Sequence, residues 1–255
     1  MQGAGVIAAN AVRELVRSKL LYNLLLFAVL LIFSSFGIAQ LTIGNWDRII
    51  LDIGLGAIEV VGVLVAVLIG VNVVAGEVDR KTIYATLAKP ISRGAFVVGR
   101  YAGLLAILAV NVLVMLAVLA AMLRLANHGL DRTALLAAAL LFVELALMAA
   151  VAVFFSSFTT PILAAAFALC VFPIGHLVGD LKIFGDRSKS TALKTTLAAL
   201  YSLLPDLELL NLKSQAANRL AVDVRGALAS AGYGTVYALV LIVLAVALFQ
   251  RRDLK

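Results

Sequence analysis

Three side chains able to carry a proton or a directional hydrogen bond stand inside stretches otherwise built from Leu, Val, Ala and Ile: Glu59, Asn111 and Glu144. Carboxylates and amides set in lipid mark a proton or ion path, or a polar bond between helices. A second grouping, Glu77, Asp79, Arg80 and Lys81, puts four charges within five residues. Charges of both signs at that density suit docking on another surface more than covalent chemistry. Residues of established catalytic pattern are missing. There is no His-Glu-x-x-His pair, no Gly-x-Ser-x-Gly elbow, and the two histidines, His128 and His176, flank apolar stretches separately. Cys170 is the sole cysteine and sits in an apolar run, so it has no partner for a disulfide or a cysteine-built metal site. The nearest approach to a phosphate cradle, Gly94 through Gly99-Arg100-Tyr101, lacks the lysine and the Mg²⁺-binding hydroxyl. Neither catalytic nor metal-binding side chains are expected, and no cofactor of the chain's own.

The elements that position these residues follow from composition. The 255 residues are 64% hydrophobic and 14% charged, with mean hydropathy +1.10. A soluble domain is about 45–50% apolar and about 25% charged, and a fold of this length must still show a mostly polar exterior to water. The chain therefore belongs in lipid. Its net charge of +7 would otherwise suggest nucleic acid, but a polytopic membrane protein becomes basic by keeping Lys and Arg on its cytoplasmic side. No nucleic-acid partner is expected.

Crossing a bilayer takes about 20 apolar residues. Six runs qualify: 20–39, 55–74, 96–122, 134–155, 162–178 and 233–249. The first resembles a signal peptide, with Arg13, Arg17 and Lys19 before it and Gly37-Ile38-Ala39 after its core, but five further spans favour an uncleaved helix. With the N-terminus inside, inner segments hold eleven basic residues and the two short outer loops hold three, Arg48, Arg124 and Arg132. Both termini are thus expected in the cytoplasm. The expected fold is all-α: a single transmembrane domain over 1–255 with six membrane helices.

Residues 1–19 mix Val6, Ile7, Val12, Leu15 and Val16 with charged neighbours, which fits an amphipathic helix at the inner headgroups or a plain topology signal. After the second span, acids lead a short segment in which Glu77 and Lys81 have the favourable i,i+4 order and Pro90 disfavours helical geometry at Lys89. Its stripe of Ile83, Tyr84, Leu87 and Ala88 could seat in a partner's groove or rest on lipid. The long stretch 179–231 reads either as two interfacial helices around Pro205, covering the outer mouth, or as a solvated loop with one surface helix.

Within the spans, Glu59 precedes Gly62, Ala66 and Gly70. Small residues at this spacing let helices approach closely, so the face suits a helix or subunit interface, while Glu59 could also reach outward to headgroups. Glu144 lies mid-span, where a charged carboxylate costs about 2.5–3.5 kcal/mol on insertion scales. Counting from the outer hairpin places Asn111 at similar depth, so an Asn111–Glu144 hydrogen bond is expected, serving helix packing or lining a path. Pro173 is expected to bend the fifth span.

Six spans, a charged inner segment after the second and a long outer segment before the sixth resemble the permease subunits of type-two ATP-binding-cassette (ABC) exporters. The wording is similar too: Gly76-Glu77-Val78-Asp79-Arg80-Lys81-Thr82-Ile83, then Leu87-Ala88-Lys89-Pro90-Ile91-Ser92-Arg93 and Gly99-Arg100-Tyr101. Ser156-Ser157-Phe158-Thr159, Leu204-Pro205-Asp206-Leu207 and the closing Phe249-Gln250-Arg251-Arg252-Asp253-Leu254 add to it. Arg100 stands where the family often has lysine.

The resemblance implies that 76–93 is a coupling helix seated on a separate cytoplasmic ATPase subunit, which would hold the ATP and Mg²⁺. Glu77, Asp79, Arg80, Lys81, Ile83, Leu87, Pro90 and Arg93 would form that contact. It further implies a second permease copy, as homodimer or with a related chain, meeting largely through the second and fifth spans in a bacterial inner membrane. The subgroup that accompanies copper-site maturation of nitrous-oxide reductase has a similar layout, with an outer segment that meets a periplasmic partner. Two other readings compete: a secondary carrier working through Glu59 and Glu144, and a membrane scaffold holding a periplasmic protein.

Overall fold

A computed structural model of the chain describes residues 2–41, 46–73, 92–187 and 190–251. Of the expected ATPase contacts, Glu77, Asp79, Arg80, Lys81, Ile83, Leu87 and Pro90 fall outside these residues, and Arg93 falls within them.

The described residues form helices and short connections, without strands. In chain order these are α1 (Gln2–Val16), α2 (Lys19–Gln40), α3 (Trp46–Asn72), α4 (Arg93–Leu125), α5 (Arg132–Ser156), α6 (Pro161–Arg187), α7 (Thr191–Leu203), a 3-10 turn (Glu208–Leu210), α8 (Lys213–Ala217) and α9 (Val224–Arg251). Helices α2, α3, α4, α5, α6 and α9 are each long and apolar enough to cross a membrane, as the six apolar runs require.

Several boundaries differ from those runs. Helix α3 starts at Trp46, and α9 at Val224, because hydropathy registers the apolar centre of a helix, and neither Asp47, Arg48 and Asp52 nor the Gly/Ala/Ser-rich turns before Tyr233 interrupt helical geometry. Ser92 caps α4 by accepting the Ala95 amide, and Asp131 caps α5 by accepting that of Ala134, satisfying amides that helix starts leave unpaired.

Helices α3 and α5 form the centre and are buried on nearly every side. Their contact relies on the small-residue face: a Cβ on Gly62 would meet Leu145, and one on Gly70 would meet Ala152 and the Ala149 carbonyl. The Gly62, Ala66 and Gly70 face is therefore an interface within the chain. That leaves α3 only a narrow exposed strip including Asp52 and Val60. By contrast α2 buries one side, Leu21, Ala28, Ile32, Ser35 and Ala39, and presents the rest outward, as a helix at the bundle's periphery does.

Helix α1 lies against α4. Ile7 and Ala11 are buried, Glu14 pairs with Arg100 at 2.7 Å, and a Cβ on Gly103 would come within 3.0 Å of the Ala8 carbonyl. Of the five apolar residues noted in 1–19, Val6 and Val16 stay exposed. Arg93, at the first turn of α4, hydrogen-bonds the carbonyls of Phe249 and Gln250 at the end of α9 and lies over the Phe249 ring. A guanidinium at a helix C-terminus satisfies carbonyls that have no intrahelical partner. The start of α4 is thereby fastened to the end of α9 and, through Arg100 and Glu14, to α1.

Candidate functional site

Glu59 on α3, Glu144 on α5 and His176 on α6 converge inside the bundle. The His176 Nε2 lies 3.1 Å from Glu144 Oε1 and 3.3 Å from Glu59 Oε1. Both carboxylates are almost wholly buried, at 4% and 2% exposure. Glu59 thus does not reach toward headgroups. Its other oxygen, Oε2, accepts from the ammonium of Lys213 at the start of α8, and the second ring nitrogen of His176, Nδ1, lies 3.1 Å from Glu208 Oε2. Asn211 donates to both Glu208 oxygens at 3.2 and 3.0 Å. Three carboxylates, one ammonium and one imidazole meet here, so with the acids ionised the group keeps net negative charge even when the ring is protonated. In low dielectric such a group binds cations far more strongly than it would in water.

The site is closed from above by the stretch between α7 and α9, whose inner part is tucked into the bundle. Leu207, Leu210, Ala216 and Ala217 are buried. Of the two interfacial helices expected here, the first is present as α7, ending before Pro205. The second is not one helix. Leu207 and Leu210 turn inward, and Asn211 Oδ1 accepts the Lys213 amide, restarting the chain as the short α8.

Besides the Lys213 and Glu208 contacts, further attachments hold this stretch down. The Leu207 amide donates to the Gly175 carbonyl at 3.0 Å. The Tyr233 hydroxyl oxygen accepts the Asp206 amide at 3.0 Å, and the Tyr237 hydroxyl donates to the Leu203 carbonyl at 2.6 Å. Arg219, with φ 52°, reaches Asp47 at 3.0 Å. Gly175 permits the closest approach, since a Cβ there would sit 2.7 Å from Leu207 Cγ and 3.0 Å from the Pro205 carbonyl oxygen. Because one of these is backbone, the stretch must lift as a body. Gly175→Val is expected to cost about 1–3 kcal/mol and to raise hydrogen exchange selectively across 204–217; unchanged exchange there would contradict this attachment.

Between α3, α6 and the 3-10 turn lies a pocket of about 540 Å³ whose walls include Glu59, His176, Asp180, Glu208 and Lys213. A larger apolar cleft of about 860 Å³ lies between α5, α6, α7 and α9, lined by residues such as Phe155, Val171, Leu204 and Tyr237.

The expected Asn111–Glu144 bond is not formed. Both Asn111 amide atoms are buried without a hydrogen-bond partner, and Glu144 faces His176 instead. Counting residues from a hairpin gives depth along two helices but leaves their rotation open, and here rotation separates them. Pro173 lies within α6, which continues through it; lacking an amide hydrogen, it leaves the Leu169 carbonyl without its usual helical donor. His176, Glu208 and Lys213 were not among the expected site residues. The only sequence signal for them was His176 three residues beyond Pro173, inside a helix rather than flanking it.

A family model described as ABC-2 family transporter protein matches residues 6–254. A comparison with curated proteins gives no match. The match spans all six membrane helices, the site between them and the stretch that covers it between α7 and α9, and on that evidence the chain belongs to the ABC-2 transporter family, as the multi-pass permease subunit of an ABC transporter.

Proposed function

We propose that two copies of this chain form the membrane half of an exporter powered by separate cytoplasmic ATPase subunits, with 76–93 as the coupling helix and both termini inside, in a bacterial inner membrane. The observation that carries this reading is the fastening of α4 directly beyond residue 92. Arg93 ties its first turn to the end of α9, and Arg100 ties its second to α1 through Glu14. A displacement applied at 76–93 would move three helices as one body, and an ATPase that binds this segment differently in its two nucleotide states supplies the bias. The chain has no phosphate-binding loop of its own, so the ATP and Mg²⁺ belong to the companion.

The exposed side of α6, including Leu163, Phe167 and Ile174, together with the strip of α3 around Val60, supports a meeting of two copies through the second and fifth spans. The apolar cleft beside α9 supports an amphipathic or lipid-like cargo entering from the side. Leu203, Leu209 and Leu220 stay exposed on the outer stretch and support a periplasmic partner there, as in the subgroup that serves copper-site maturation.

Solubilised gently from its own membrane, the chain is expected to carry a soluble ATPase with it, and the chain alone is expected to hydrolyse no ATP. The buried Glu59–His176–Glu144 group favours a second reading, a carrier driven by a proton gradient. Gradient-driven flux through the isolated chain in vesicles would establish that alternative against the first.

A further inference from the structure

We propose that Glu59, Glu144 and His176 form a binding site for a divalent first-row transition cation, reached through the pocket under the outer stretch. This inference is independent of the ATP-driven reading: it concerns what the site binds, not what moves it.

The geometry is that of a ligand cage. Zn²⁺ binds imidazole nitrogen and carboxylate oxygen at about 2.0–2.2 Å in tetrahedral geometry, so two ligands on one ion lie roughly 3.3–3.6 Å apart, and the separations here are at or slightly inside that range. His176 Nε2 stands 3.3 Å from Glu59 Oε1 and 3.1 Å from Glu144 Oε1, and all three ligand atoms lie within 4.8 Å of one another. Glu59 Oε1 is buried and, among the described residues, has no hydrogen bond of good geometry, only the His176 ring nitrogen 3.3 Å away, an arrangement that a cation between them would satisfy.

The surroundings orient the ligands as metal sites require. A metal-bound imidazole usually gives its other N–H to a carboxylate, which fixes the tautomer and strengthens the ligand. Glu208 Oε2 already stands 3.1 Å from Nδ1, in turn held by Asn211, so the ring can keep its Nδ1–H on Glu208 while a cation displaces the proton at Nε2 and takes up that lone pair between the two carboxylates. Lys213 engages Oε2 of Glu59, and so turns Oε1 toward the ring. Its positive charge balances part of the excess that three acids create without occupying the ligand position.

Three protein ligands and an adjoining pocket of about 540 Å³ leave further coordination positions open to water or to an incoming group, the pattern of an exchangeable site rather than a closed structural one. One nitrogen and two oxygens, with no sulfur among them, suit Zn²⁺, Mn²⁺ or Fe²⁺ and disfavour Cu⁺. Because Glu208 and Lys213 come from the outer stretch, occupancy of the site and seating of that stretch are linked.

The test is Zn²⁺ binding by the detergent-purified full chain with its companion subunits, affinity-purified without a histidine tag and stripped with chelator. Equilibrium dialysis is expected to show one saturable site per permease chain. Glu144→Gln and His176→Ala should remove it. Glu208→Gln, at a half-exposed position that does not threaten folding, should weaken it about 10–100-fold as the loss of a ring-orienting carboxylate does. Cobalt(II) in place of zinc should give a visible absorption band that these variants abolish. Absence of one-to-one binding in the stripped protein, or binding that the folded Glu208→Gln and Glu144→Gln variants leave unaltered, would overturn the proposal and leave the cluster as an ion-pair network only.

Discussion

Reversing Glu77 and Asp79 to lysine together is expected to abolish the stimulation of the companion ATPase by this permease, returning hydrolysis to the rate of the soluble subunit alone. The two acids open the segment 76–93, with Arg80 and Lys81 directly behind them. The reversal turns a mixed-sign cluster into four consecutive-region cations, so a surface that complemented the original pattern meets like charge instead, which costs several kcal/mol across an interface. The membrane helices lie elsewhere and are held by apolar burial, so thermal unfolding of the permease should shift little. Full stimulation in the double variant would remove 76–93 from the role of coupling helix.

The second large effect is expected from His176→Ala. The imidazole stands between two carboxylates that are each almost wholly buried. Removing one partner of a buried charge group leaves the others uncompensated, typically at about 3–5 kcal/mol. Lys213 remains on Glu59, while Glu144 loses the ring nitrogen that stands at its Oε1. The variant should therefore unfold at markedly lower temperature in detergent. Neutralising the acids as well, in a Glu59→Gln, Glu144→Gln, His176→Ala triple variant, should restore much of the loss. A triple variant as unstable as the single one would mean that the ring stabilises by packing, through its contact with Phe172, rather than by charge.

The six membrane helices were legible because apolar run length is set by bilayer thickness, a constraint on each segment alone. The small-residue face on α3 was legible for the same kind of reason, since Gly62, Ala66 and Gly70 share one side of one helix. What it faced was not: choosing between a second copy and α5 requires knowing which helices are neighbours. Glu59 and Glu144 could be identified singly, because a carboxylate in an apolar run is costly wherever it lies. Their convergence on His176 could not, since three helices must be rotated correctly at once, and the same missing information misdirected Asn111. The tucked outer stretch was hidden because Leu207 and Leu210 look identical in sequence whether they lie on lipid or insert into a bundle. Arg93 illustrates the converse. The resemblance assigns it to the ATPase contact, while its guanidinium is engaged with the end of α9.

Force from a nucleotide-hydrolysing companion is expected to reach the stretch between α7 and α9 through the fastened helices. Since Cys170 is the sole cysteine, a Cys170→Ser background accepts spin labels at Asn218 on the outer stretch and Leu125 at the outer end of α4, both exposed, with labelled chains diluted among unlabelled copies. Electron–electron distance measurement on the assembled complex in lipid is predicted to show one distribution without nucleotide and a shifted one when ATP is trapped, with the shift lost in the Glu77→Lys, Asp79→Lys double variant. An identical distribution in every nucleotide state, in a complex that is hydrolysing ATP, would contradict the account.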